Sequence, residues 1–490
     1  MKTNAKRWFL GAAALALATA AGCASSGGDG PLTGSVPSDA PPAEVRKAVR
    51  EVDAARLRTH VDELAGFGTR HTLSDTASQD RGIGAARGWI ARKFQEASEE
   101  SERMGEEGVR VLFDSHTVEP DGRRITRAVE VVNVLCVIPG SNPAARERLY
   151  YATAHYDSIC SENTDADCDA PGANDNASGT AALIELARVL AMHKLDATVV
   201  LMATAGEEQG LYGARRHAER SRAEGRDVRA VLNNDTIGDP AGPFAKGGQE
   251  AAHSRRTVRV FSEGVPRNAT PEQILAIHAA GMENDGPART LARFVGEVGA
   301  WHGLAVQPTL IYRNDRFLRG GDHTAFLEHG FPAAVRFTVL YEDYDRQHQN
   351  VRIEKVDRDG KMVDVQFGDL PSYVEEDYLA DVTRLNAAAL MHLANAPAPP
   401  TNTRLSMSGL ENGTRLRWDA PDPADNPEQI AGYEVVVRTT TSAVWQSAKD
   451  VGFTNEATLD LSRDNWLFGV RAYDADGYRS PVSFAVPVRE

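Results

Sequence analysis

A set of acidic and imidazole side chains stands out in this chain because of where they sit. "AHYDS" supplies His155 and Asp157, two apart, so an extended backbone would put both on one face. "GANDNASGTAALIELA" supplies Asp175, in a run of small residues that opens a helix. "TAGEEQG" supplies Glu207 and Glu208 directly after the apolar run "ATVVLMA". "NNDTIGD" supplies Asp235, and "RGGDHTAFLEHGFPA" supplies His323 after two glycines, with Asp322 as an orienting partner or helix cap. Taken singly, each has a plain structural reading: a wet strand end, a helix cap, a solvated turn. Taken together, His155, Asp175, Glu208, Asp235 and His323 are five nitrogen and oxygen ligands without a thiolate. Such a set suits one or two divalent ions such as Zn²⁺. Five ligands serve two ions only if one bridges, which a carboxylate does, so Asp175 or Glu208 would be the bridge. Glu207 and Glu208, as neighbours on an extended chain, would point opposite ways, one to metal and one to the pocket as a base. Two adjacent negative charges are tolerable there if cations lie beside them.

These segments need a scaffold that brings strand ends together. Strand-like runs are "VRVLFDSHTVE", "AVEVVNVLCVIPG", "RLYYATAHYDS", "ATVVLMATAG", "RAVLNNDTIG" and "PTLIYR". Helical spacing fills several of the gaps, as in "ASGTAALIELARVLAMHK", and covers 43–67 and 82–100. The alternation predicts an α/β fold with a mixed, mostly parallel central sheet flanked by helices. Sites on such sheets gather at the carboxyl ends of strands, where "HYDS", "GEEQG" and "NDTIGD" all fall. Residues 240–285 read as a polar insertion. A long helix, "VEEDYLADVTRLNAAALMHLANA", closes a domain spanning 43–397. After the Pro-rich "PAPPTNTR", short alternating strands over 401–490 predict an all-β sandwich domain. Trp418, Tyr433 and "VRAYDADGYRSP" resemble a fibronectin type III module.

The order HxD, "GANDNASG", "GEE", "NND", "DH" resembles the two-zinc aminopeptidase family. That family includes bacterial leucyl aminopeptidases, and glutamate carboxypeptidases and glutaminyl cyclases are its relatives. The resemblance spans roughly residues 50 to 395. It implies two Zn²⁺ ions, with His155 and Asp235 on one, Glu208 and His323 on the other, and Asp175 bridging. It implies Glu207 as general base, Asp157 as the partner orienting His155, and a cis peptide after Asp175. Many members have Asp where this chain has Asn176. The activity implied is a metallo-aminopeptidase acting on peptides with a free amino terminus. The alternatives are a glutaminyl cyclase or carboxypeptidase of the same fold, or a non-catalytic surface-binding protein. Tyr312 in "LIYRNDRF" is the candidate oxyanion donor, against a core tyrosine at a strand end. Arg313, Arg316 and Arg319 read as a solvated edge, and His348 in "DRQHQN" as structural.

The 490 residues carry a formal charge of −15, which argues against a polyanionic partner such as nucleic acid. "MKTNAKRWFLGAAALALATAAGC" has Lys2, Lys6 and Arg7 before a short apolar run, the layout of a secretory leader. "AAGC" resembles a lipoprotein cleavage site, with Ala20 where a larger aliphatic residue is usual. The expectation is a leader over 1–23, lipidation of Cys23 as the sole membrane attachment, a flexible linker over 24–42, and an exported or outer-membrane location. In an oxidising compartment Cys160 and Cys168 in "CSENTDADC" would pair, and Cys136 would be an inert core thiol.

Overall fold

The computed structural model describes residues 40–489 apart from 104–107, 245–246, 409–410 and 426–428. The leader, Cys23 and most of the expected linker lie outside the described residues.

The first part is a layered α/β domain. In chain order it runs α1 (Ala43–Glu51), α2 (Ala54–Gly66), α3 (Gly82–Arg103), β1 (Arg110–Val118), β2 (Val129–Ile138), β3 (Arg148–His155), α4 (Gly179–Leu190), β4 (Thr198–Thr204), α5 (Glu207–Gly210), α6 (Tyr212–Ala223) and β5 (Asp227–Asn234). There follow α7 (Gly248–Ser254), β6 (Thr257–Ser262), α8 (Pro271–Ala280), α9 (Pro287–Trp301), β7 (Gln307–Ile311), α10 (Asp322–Glu328), β8 (Ala334–Val339), the hairpin β9 (Arg352–Arg358) and β10 (Lys361–Phe367), and α11 (Glu376–Asn395).

Eight strands form one sheet in the order β1-β2-β4-β3-β5-β8-β6-β7. The central run β4-β3-β5-β8 is parallel throughout, and antiparallel pairs join it to the flanks. Strands buried on both faces read as unbroken apolar runs because each side chain in turn enters a different core. In β4, Val199, Leu201 and Ala203 join the core under α4 and α11. Val200 and Met202 join the opposite core with Ala218 of α6 and Phe326 of α10.

The reading of 240–285 as an insertion is corrected by β6, which sits inside the sheet between β8 and β7. Only α8 stands off, with no buried residue.

Eight further strands follow: β11 (Thr401–Ser406), β12 (Thr414–Asp419), β13 (Gly432–Thr439), β14 (Ser447–Gly452), β15 (Glu456–Leu459), β16 (Trp466–Tyr473), β17 (Ser483–Phe484) and β18 (Val486–Val488). They form two four-stranded sheets, β15-β12-β11-β18 and β14-β13-β16-β17. Both sheets feed one core, in which Trp418 meets Tyr433 edge-on at 5.5 Å. Buried charge ties this sandwich to the α/β domain. Asp285 receives Arg293 at 3.2 Å and Arg438 at 2.7 Å, and Arg471 reaches Glu297 at 2.7 Å.

Candidate metal centre and active site

Four adjacent parallel strands end on one rim, and the candidate residues come from the loops there. His155 closes β3. Its Nε2 lies 3.1 Å from Asp175 Oδ1 and 3.8 Å from Asp235 Oδ1. Its Nδ1 faces the Asp157 carbonyl at 3.1 Å, with the Asp157 carboxylate 3.6 Å away. The same carboxylate accepts the backbone N–H groups of Glu207 at 3.3 Å and Glu208 at 3.1 Å. Asp157 therefore fixes the imidazole and the acidic turn together.

That turn is not extended. Gly206, at φ 72°, takes a left-handed conformation that suits glycine, and Glu207 to Gly210 coil into α5. The two glutamates diverge because neighbouring helical positions do. Glu208 is buried beside Asp175, whereas Glu207 opens onto the pocket with no hydrogen bond or ion pair to its carboxylate among the described residues.

Asp175 sits in a tight turn, Ala173–Ser178, with a cis peptide to Asn176. Asp369 pins this turn by accepting the N–H groups of Asn174 at 2.9 Å and Asp175 at 2.7 Å. Gly179 follows where a Cβ would stand 2.4 Å from the Asn234 carbonyl, so the turn packs against β5 only without a side chain. Fully buried Arg70 staples the approach, donating to the carbonyls of Tyr156, Pro171 and Gly172. Asp235 follows β5, its Oδ2 held 3.2 Å from the Arg336 guanidinium.

The structure departs from the sequence expectation at His323. That ring is buried at the start of α10, with Nε2 3.0 Å from the Asn314 carbonyl and 3.6 Å from Asp315. It does not line the pocket. His348 takes the expected place instead: its Nε2 lies 2.9 Å from Asp175 Oδ2 and 3.0 Å from Glu208 Oε1. The reason is sheet order. His348 lies on the loop after β8, which pairs with β5 directly, whereas α10 follows β7 on the sheet edge. Gln347 beside it donates to Asp175 Oδ2 at 2.6 Å.

Tyr312 is a second correction. It is 40% exposed, its ring lies under Arg289 at 4.0 Å, and its hydroxyl faces the Ala443 carbonyl of the sandwich at 3.5 Å. It belongs to the domain junction, away from the pocket. Asp322 neither orients His323 nor caps α10; it accepts the Thr204 hydroxyl, and burial pushes its carboxyl up to about 7. A disulfide joins Cys160 to Cys168, and Cys136 is a buried free thiol whose pKa burial raises.

The donor set fits a cation. Ligand atoms of His155, Asp175 and Glu208 all lie within 4.8 Å of one another. Glu208 Oε1 and His348 Nε2 are buried and face each other at 3.0 Å, with Asp175 Oδ2 2.9 Å from the same nitrogen. Buried carboxylates crowded this closely around imidazole nitrogens make a donor set that suits a bound cation. Burial pushes the Glu207 carboxyl well above its ordinary range; His155 opposes this, while Glu208, Asp235 and Asp322 add to it. For His155, burial disfavours the charged ring, but the charge of Glu207 and the hydrogen bonds of Asp157, Asp175 and Asp235 outweigh it and hold the pKa well up. The pocket above these groups has a volume of about 460 Å³, and Arg124, Arg316 and Arg319 lie on its wall.

Residues 133–366 match the description Peptidase family M28. A probable zinc metalloprotease of Leptosphaeria maculans is 40% identical over 91% of this chain and 98% of its own length. The chain belongs to Peptidase family M28. A probable zinc metalloprotease of Pyricularia oryzae is 41% identical over 91% of this chain and 85% of its own. Among solved structures, the LapA aminopeptidase of Legionella pneumophila is 17% identical, covering 74% of this chain and 78% of that one, at a TM-score of 0.49. The M28 match begins in β2 and ends in β10, so it encloses His155, Asp157, Asp175, Glu207, Glu208, Asp235 and His348.

His348, expected to be structural, is instead part of the site, and Arg70, Asp369 and Arg336 join it without having been candidates. For His348 a signal existed: "AAVRFTV" is a strand run whose centre, Arg336, disguises it. Arg336 is fully buried and tied to Asp235, Asp315 and Glu342. Once that strand is drawn, the loop after it becomes a candidate.

Proposed function

We propose that this chain is a zinc-dependent exopeptidase that removes residues from the free amino terminus of peptides. One observation carries the reading: buried Asp175 stands 3.1 Å from His155 Nε2 and 2.9 Å from His348 Nε2, with Glu208 Oε1 3.0 Å from the latter. Zinc in the names of the full-length relatives supports the choice of metal. In this reading His155 and Asp235 would hold one ion and Glu208 and His348 a second, with Asp175 beside both imidazoles. Bound zinc would supply a Lewis acid that polarises a carbonyl and makes water acidic near neutral pH. Glu207, unpaired and open to the pocket, receives the proton of the attacking water and returns it to the leaving amine nitrogen. Asp157 keeps His155 and the α5 turn in register. Arg70 and Asp369 hold the Asp175 turn.

Prolonged chelation is expected to abolish hydrolysis of aminoacyl chromogens and Zn²⁺ to restore it, with N-blocked peptides resistant. Indifference to chelators would remove the metal mechanism. Release of pyroglutamyl products instead of free residues would replace the peptidase by a cyclase. A specific observation favours a second reading. Arg124 and Arg319 line the pocket without a carboxylate partner among the described residues, so a substrate carboxylate would find them. Peptides with free and amidated carboxyl ends separate the two: a strict need for the free carboxylate supports carboxypeptidase action.

We also propose export, on the strength of the leader-like first 23 residues. Lipidation at Cys23 is tested by labelling with a fatty-acid analogue, which Cys23→Ser should abolish.

A further inference from the structure

A second cavity, of about 310 Å³, lies between the α/β domain and the sandwich. Arg148, the first residue of β3, lines it. Seven residues separate it from His155, roughly 23 Å along a strand, so this is not the peptidase pocket. Arg148 is 2% exposed, yet its Nε, Nη1 and Nη2 have no hydrogen-bond partner and it makes no ion pair among the described residues. A buried guanidinium with nothing to bind is costly, and natural structures rarely keep one without a use.

The carboxylates around the cavity are already engaged. Asp227 and Asp425 hold Arg229, at 2.6 Å and 2.7 Å. Asp285 holds Arg293 and Arg438. Four guanidiniums thus meet three carboxylates, and the surplus cation is Arg148. The remaining walls are mostly apolar, with Leu291 of α9, Leu393 of α11, Pro397 and Pro399 just after α11, and Pro481 and Val482 of the sandwich, beside the hydroxyls of Thr290 and Ser483.

We infer that this cavity binds a small organic monocarboxylate with an apolar body, its carboxylate on the Arg148 guanidinium. A guanidinium presents parallel N–H donors that match a planar carboxylate. The three nearby aspartates disfavour a dianion such as phosphate, and the proline and leucine walls need an apolar partner. The volume lies at the small end of ligand sites, about 300–1,000 Å³. Because the walls come from both domains, the ligand ties the sandwich to the α/β domain.

The test is calorimetric titration of the zinc-loaded enzyme with N-acetyl-L-leucine, and with N-acetyl-L-leucinamide, which lacks the carboxylate. The acid should bind with one-to-one stoichiometry and raise the melting temperature; the amide should bind at least tenfold more weakly. Arg148→Met should weaken the acid at least tenfold, leave kcat/KM for an aminoacyl chromogen within twofold, and melt no lower than wild type without ligand. Val482→Trp, which fills the cavity from the sandwich side, should also abolish binding while sparing Arg148. Equal binding of acid and amide would overturn the site, as would undiminished binding of the acid to both variants, which would place it on the peptidase pocket.

Discussion

Replacing His348 by alanine separates the metal centre drawn from the structure from the one expected in the sequence. The ring nitrogen is 2.9 Å from Asp175 and 3.0 Å from Glu208, so its loss leaves two buried carboxylates facing a gap. Protein zinc sites with four ligands are worth about 10–16 kcal/mol, or roughly 3 kcal/mol per ligand. At about 1.4 kcal/mol per factor of ten, His348→Ala should weaken zinc at that position by about 10²-fold. His323→Ala removes a buried ring that faces the Asn314 carbonyl and Asp315. It should cost about 2–3 kcal/mol of stability by cavity formation, with zinc affinity within about threefold because no metal ligand is lost. Competition with a chromogenic chelator gives the affinities, and circular dichroism confirms that both variants fold. Zinc loss in the His323 variant equal to or greater than that in the His348 variant would refute the reasoning.

Glu207→Gln should keep its zinc and KM while kcat falls by about 10²–10⁴; a kcat within tenfold of wild type, read by steady-state kinetics, would remove Glu207 as the base. Asp285→Asn leaves the Arg293 and Arg438 guanidiniums without a counter-charge, at a cost of about 3–5 kcal/mol; calorimetry and limited proteolysis should show the sandwich loosening first. Burial, with help from Arg56, Lys93 and Arg188, lowers the His60 pKa from 6.5 to about 4. Between those values the unfolded chain binds a proton there that the folded chain does not. Stability should therefore fall as pH drops through that window, by at most about 3 kcal/mol. His60→Leu should flatten this part of a denaturation-against-pH profile; an unchanged slope would exclude His60 as the cause.

Much of the rim was legible because its residues follow apolar runs that can only be buried strands. His155, Glu208 and Asp235 each end such a run, and Asp175 opens a small-residue turn into a helix. What failed was the strand between Pro332 and Leu340. Periodicity treats Arg336 as a break, but three-dimensional pairing with Asp235, Asp315 and Glu342 makes it a strand centre. Without β8, the loop carrying His348 had no anchor, and "GGDH" took its place. β6 was lost similarly, as the short run "TVRVFS" within a polar region. Tyr312 was placed by adjacency to the strand end "LIY", whereas its partners, Arg289 and Ala443, lie 23 and 131 residues away in the chain. Long-range charge pairing and sheet order are not written in local pattern. The two-residue spacing of His155 and Asp157 is, and Asp157 does contact both the ring and the α5 turn.

The most direct test of the metal centre is anomalous diffraction at the zinc edge from crystals of the zinc-loaded protein. Strong peaks are expected within coordinating reach of His155, Asp235, Glu208 and His348, with Asp175 beside both. A peak on His323, a peak only at the Cys160–Cys168 loop, or no peak beside His348 would contradict that arrangement.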